Sequence, residues 1–231
     1  IDITRLQTSA ELQHFITEEL SGNAREVSPL ITRLDTICLS GRMQFSKHHQ
    51  SASMHIANRL VNLSINASAK EWNEFKGTIT SPEILWGKLV SDDARHAHNM
   101  ASADIEVGGT IKDGKGNTGI EIRATLPRLS IKGCNYNDIR ILGKLRGKTL
   151  SIEAAVPEDD GDMHGEFSLV LAPTLHFTGK AIASGFPTEK LGLENIYPQA
   201  RMSLCTDIML SGSNIDDISG ELKLSDYTVE T

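Results

Sequence analysis

The sequence predicts an all-β protein: an elongated, curved, antiparallel-type sheet folded into a taco-like groove with an apolar interior, plus one or two short N-terminal helices. Three observations predict it. From Asp35 onward, apolar residues recur at every second position in segment after segment, the period of a strand with one buried face. Turn signals such as "KDGKGN", "RGK", "PEDDGD" and "SGSN" separate the segments. No helical period lies between them, which excludes a parallel α/β sheet.

The elements follow in order. Ser9 is a candidate N-cap, and "SAELQHFITEEL" places Leu12, Phe15, Ile16 and Leu20 on one helix face. "SGN" stops that helix, and Pro29 limits any second one to a short turn. Residues 1–34 are therefore expected to form a short helical segment and linker, and 35–231 a repeating β-groove region. In the latter the alternating positions are Ile37, Leu39, Met43 and Phe45, then Val61, Leu63 and Ile65. Ile105 and Val107 follow, then Ile120 and Ile122, then Ile139, Ile141 and Leu145. Leu150 and Ile152 come next, then Phe167, Leu169 and Leu171, then Leu204, Ile208 and Leu210. Leu222 and Leu224 close the series. These residues are the candidate lining of the groove. In all, about twelve to fourteen short strands are expected.

A Gly-polar-apolar triplet recurs at Gly41, Gly77, Gly109, Gly143, Gly165 and Gly220. A glycine inside a strand marks a bend or a close backbone approach. Its recurrence predicts a long sheet, bent repeatedly at about one level, whose units stack on their neighbours.

Composition narrows the function classes. A chain of 231 residues, 39 % of them hydrophobic, can bury a sizeable core. Only 5 % are aromatic, so that core is aliphatic. A formal charge of −7 without a Lys/Arg cluster argues against nucleic acid and against electrostatic docking on an anionic membrane. No apolar run reaches the length of a membrane span. The chain opens on Ile1, and both ends read as cuts within something longer. The final strand, "ISGELKLSDYTVE", would then be one more rung, and end-to-end strand pairing is expected of the fragment.

Chemistry-bearing residues are sparse. Cys38, Cys134 and Cys205 are too far apart in sequence to read as a disulfide framework or a metal cluster, and each sits among strand-like residues. "KHHQSASMH" and "RHAH" lack the spacing of a metal site, although His96 and His98 would share a strand face. Glu158-Asp159-Asp160 and Asp216-Asp217 read as turn residues. Asn62 and Asn66 head glycosylation-like triplets on the polar face of a strand. Trp72 and Trp86 fit core or lid packing, or a groove mouth that meets ligand and water together. No catalytic or cofactor fingerprint is present, so no enzyme activity, cofactor or metal is expected.

The stretch from Ala124 to Leu193 resembles the repeating region of TamB-like proteins of the AsmA-like superfamily, in the form found in the Bacteroidetes. A strand ends in a "KGCNYNDI" turn, and a "GKLRGKTLSIEA" hairpin follows. An acidic loop then leads to "GEFSLVLA", and a last strand runs into "FPTEKLGL". "LSGSNIDDISGELKLSDYTVE" is similar to the family's closing units. Cys134 stands where the family pattern has an aromatic residue. The resemblance implies a segment of a periplasm-spanning protein anchored in the inner membrane of a Gram-negative bacterium. Its apolar β-groove would conduct phospholipid acyl chains toward the outer membrane. The alternative implied role is a scaffold that pairs with outer-membrane protein strands or with a TamA-like partner during assembly. A self-closed sandwich or β-helix with a dry core is the contrasting architecture. Twelve strands at about 4.8 Å would give a trough of roughly 55 Å, in which each buried lipid methylene contributes about 0.8 kcal/mol.

Overall fold

The computed structural model describes residues 2–7, 37–71, 73–90, 98–110, 119–158, 161–171, 175–212 and 219–231. It is all-β and antiparallel, with strands hydrogen-bonded in chain order from first to last. They are β1 (Asp2–Gln7), β2 (Cys38–Phe45), β3 (His49–Ala57), β4 (Val61–Lys70) and β5 (Glu74–Ile84), followed by the one-turn helix α1 (Trp86–Val90). Next come β6 (Ala101–Thr110), β7 (Gly119–Ile131), β8 (Cys134–Arg146), β9 (Thr149–Glu158) and β10 (Gly161–Leu171). The last are β11 (Leu175–Pro187), β12 (Arg201–Gly212) and β13 (Ser219–Glu230). Among the described residues β1 and β13 each have one neighbour, so the sheet is not closed into a barrel.

One expectation is corrected. The sheet starts before residue 35: β1 pairs antiparallel with β2, so residues 2–7 are strand and not part of a helical segment. The helix expected from Ser9 lies outside the described residues. The strands form one sheet, and the chain falls into two compact units. Unit 1 comprises residues 1–106 and 127–133, and unit 2 comprises 107–126 and 134–231.

In unit 1 strict alternation sorts the side chains of β2–β5. Gly41, Met54, Ile65 and Ile79 stand opposite one another across four strands, as do Met43, Ala52, Ala67 and Gly77. The other face carries Arg42, Ser53, Asn66 and Thr78 in one row and Ser40, His55, Ser64 and Thr80 in the next. There Ser53 Oγ donates to Asn66 Oδ1 at 2.8 Å. Turn chemistry fixes the register: Asn58 Oδ1 accepts from the Leu60 and Val61 amides at 2.8 Å each, and so closes the β3–β4 hairpin. At the β1 edge, Arg42 Nε donates to Asp2 Oδ1 at 2.6 Å. That hydrogen bond, then the guanidinium charge, hold the Asp2 carboxyl below its ordinary value. The pair therefore ties β1 to β2 at neutral pH and is lost as pH falls through the lowered pKa. Both side chains are solvent-exposed, so salt screens the tie.

In unit 2 the β8–β9 hairpin turns on Gly147, whose φ of 60° is open to glycine without steric cost. The long connection 188–200 folds back as a strap from the end of β11. Thr188 is its hub. Its Oγ1 donates to the Tyr197 and Ala200 carbonyls at 2.7 and 2.8 Å, and its carbonyl accepts from the Leu193 amide at 2.9 Å. The strap reaches β8, three strands away in the sheet, where Tyr136 Oη donates to the Lys190 carbonyl at 2.5 Å. The buried apolar side chains described in unit 2 are Ile139, Ala183, Phe186 and Met202, with Ala200 of the strap itself.

Candidate functional site

The candidate site is the apolar face of β8–β13, and register builds it. One row runs Leu145, Leu150, Leu169, Phe177, Leu210, Gly220 across the six strands. The next runs Gly143, Ile152, Phe167, Gly179, Ile208, Leu222. A third runs Ile141, Ala154, Gly165, Ala181, Thr206, Leu224. Within the fourth, Val156, Met163, Ala183 and Leu204 are mutual partners. Ile122 of β7 joins the second row, since a Cβ on Gly143 would stand 3.8 Å from Ile122 Cβ. Within a row the paired side chains project to the same side, so hydrophobic residues of six strands share one continuous face.

Most of that face stays half-exposed among the described residues, although Ala183, Phe186, Met202 and Thr206 on it are buried. Apart from Ile139, its candidate lining on β8–β12 is half-buried wherever side chains are described. Leu222 and Leu224 on β13 are 60 % and 62 % exposed. Among the described residues the buried apolar side chains are Ile139, Ala183, Phe186, Ala200 and Met202 in unit 2, and Leu60 and Ala103 in unit 1. In unit 1 the candidates Leu39, Met43, Phe45, Val61, Leu63 and Ile65 share the apolar face of β2–β4. Phe45 is exposed there, and Ile37 is half-buried just before β2. Ile105 and Val107 alternate on β6 and Ile120 and Ile122 on β7, half-buried except for the more open Ile122. Leu171 ends β10 opposite Leu175.

The recurring glycines do lie in strands, but not at one level. Gly41 stands in the row that meets β5 at Ile79, two residues beyond Gly77. Gly143, Gly165 and Gly220 occupy three neighbouring rows. They share a face, not a rung, because two-residue steps preserve the face while changing the row.

Phe167 explains two glycines that its row and the next provide. Its ring lies against the sheet, with Cε2 and Cζ 2.7 Å from where a Gly165 Cβ would stand and Cε1 3.0 Å from where a Gly179 Cβ would stand. Phe177 stacks on it, with ring centroids 5.7 Å apart and planes 17° apart. The result is a low, flat aromatic floor where an upright side chain would obstruct the face.

Sequence alternation missed Phe186, Tyr227 and Val229. Along β11 the odd positions face the apolar side up to Ala183. A bulge follows with Gly185 at φ 57°, and the phase flips so that Phe186 pairs with Met202 and is fully buried. A second bulge with Asp226 at φ 52° lets Val229 pair with Met202 on the same face. Glycine near the end of an alternating run was the available signal.

Two recesses lie elsewhere. One of about 750 Å³ is on the opposite, polar face of unit 2. It runs between the row Ser151, Ser168, Thr178, Met209, Glu221 and the row Glu153, Glu166, Lys180, Asp207, Lys223. Ile152, Phe167 and Ile208 contribute only its strand floor, since their side chains project to the other side. The other recess, about 390 Å³, closes one end of unit 1.

The remaining sequence candidates do not assemble. Cys38, Cys134 and Cys205 are half-buried and form no disulfide among the described residues, and Cys134 Sγ lies 3.5 Å from the Glu189 carbonyl. His48 and His49 sit exposed at the β2–β3 turn, and His55 faces Ser64 at 3.4 Å. Asn62 and Asn66 are exposed on the polar face of β4. Trp86 opens α1, and its Nε1 is buried without a partner. Trp72, His96, Asp159, Asp160, Asp216 and Asp217 lie outside the described residues. Among the described residues no three His, Cys, Asp or Glu side chains gather as metal ligands, and no helix is long and apolar enough to cross a membrane. No family model, curated protein or solved structure matches the chain.

Proposed function

We propose that this chain is a lipid-binding segment whose apolar sheet face holds and passes on phospholipid acyl chains, as part of a periplasm-spanning envelope protein of the TamB-like kind. One observation carries the reading: three in-register apolar rows cross β8–β13, and their hydrophobic side chains stay half-buried or exposed among the described residues. A half-exposed face of that extent is stable only if something apolar meets it. An acyl chain suits it, because each methylene taken from water contributes about 0.8 kcal/mol without a directional requirement. A chain crossing from strand to strand stays on hydrophobic side chains and meets no charged row. The work is binding, so no residue is assigned a covalent step.

The test is lipid occupancy of the purified chain, read by native mass spectrometry. Wild type is expected to carry phospholipid. Ile141→Glu and Leu169→Glu, each setting a carboxylate on the face, are expected to lose most of it with an unchanged circular dichroism spectrum. Equal occupancy in wild type and both variants would remove the face from consideration as the binding surface.

A further inference from the structure

The recess at the end of unit 1 joins an apolar wall to a charged one. The Leu85 amide donates to the Leu60 carbonyl at 2.8 Å, which brings Leu60 and Leu85 together beside Met100. Along the other side stand Asn62 and Glu83, directly opposite in the β4–β5 register. The Ser130 amide donates to the Met100 carbonyl at 2.8 Å, which sets Arg128 beside Ser102 on the same rim. Arg59 completes the rim from the β3–β4 turn. A volume of about 390 Å³ suits a small ligand group. Among the described residues the side chains of Arg128 and Glu83 form no ion pair or hydrogen bond, which leaves both available to a ligand.

We propose that this recess binds a phosphate–ammonium zwitterion, the headgroup chemistry of an ethanolamine phospholipid. The proposal rests on the lipid-binding reading above and adds the headgroup class. A bare phosphate in the recess would face the Glu83 carboxylate, and a bare ammonium would face two guanidinium groups. A zwitterion satisfies both signs: Arg128 and Arg59 hold the phosphate, which guanidinium matches in geometry as well as charge. Glu83 accepts from the ammonium. Asn62 and Ser102 offer neutral hydrogen bonds, and Leu60, Leu85 and Met100 receive the methylenes that follow the head.

The experiment titrates the whole chain with short-chain phosphatidylethanolamine and, separately, phosphatidylglycerol, below their micelle concentrations, by calorimetry and amide chemical shifts. Wild type is expected to prefer the ethanolamine lipid, with shifts at Asn62 and Ser102. Arg128→Ala is expected to weaken both lipids by about tenfold, the loss of one charge-assisted hydrogen bond. Glu83→Gln is expected to weaken the ethanolamine lipid alone and so remove the preference. Both positions are exposed, so folding is retained. Equal binding of the two lipids, no binding of either, or an unaltered preference in Glu83→Gln overturns the headgroup site. The acyl-binding reading then stands if the same wild-type protein still carries long-chain phospholipid, and falls with it if it does not.

Discussion

Phe167 lies flat because its neighbours have no side chains. A β-carbon at Gly165 or Gly179 would enter the ring, whose atoms come within 3.0 Å of both positions. Two glycines weaken the strands that hold them, and covering their backbone with an aromatic ring offsets that cost. Gly179→Ala is therefore expected to destabilise the chain by about 1–3 kcal/mol, the range for overpacking. The same substitution in a Phe167→Ala background is expected to cost close to nothing, because the colliding ring is gone. A double-mutant cycle by urea denaturation measures this. Additive effects would mean that the ring does not depend on its glycine seat. The glycine triplets were visible in the sequence. Gly165 and Phe167 belong to one such triplet, but the Gly179 half of the seat was not legible, because Phe167 reaches Gly179 only through the β10–β11 register.

Among the elements, the strap 188–200 is held by few bonds, and Thr188 makes a disproportionate share of them. It is fully buried, and its hydroxyl serves two strap carbonyls. Thr188→Val keeps the shape but removes the hydroxyl donor to the Tyr197 carbonyl, while the Ala200 carbonyl keeps the Thr188 amide, at about 1–3 kcal/mol. Hydrogen exchange at the Leu193 and Tyr197 amides is expected to accelerate, while the β3 and β4 amides keep their protection. Uniform acceleration across both units would place the effect outside the strap. Elements differ in how far they can be read from sequence. β8–β10 were legible, since Ile139, Ile141, Leu150, Ile152, Phe167 and Leu169 alternate without interruption. β3 was not, because small residues such as Ala52 alternate with serines and give little contrast. α1 is a single turn, too short for a helical period. Beyond Gly185 the alternation misleads, since the bulge reverses the face on which Phe186 lies.

At the scale of the whole molecule, the antiparallel sheet and its one-sided character were legible in the sequence. They follow from a side-chain period of two that barely depends on long-range packing. The extent to which the face lies uncovered was not legible, because burial is a property of what packs against a strand. The Arg128–Glu83 recess was invisible for the same reason: its residues come from four strands and two connections, and no local spacing brings them together. In unit 2 the charged recess and the apolar rows lie on opposite sides of the same strands. The most direct measurement is therefore photo-crosslinking with a phospholipid that carries a diazirine in its acyl chain, with the labelled residues mapped by mass spectrometry. Labelling is predicted at Ile152, Leu169, Phe177 and Leu204, with Glu153, Ser168 and Thr178, one residue away on the same strands, left unlabelled. Labelling concentrated on the polar residues, or spread equally over both faces, would contradict the account.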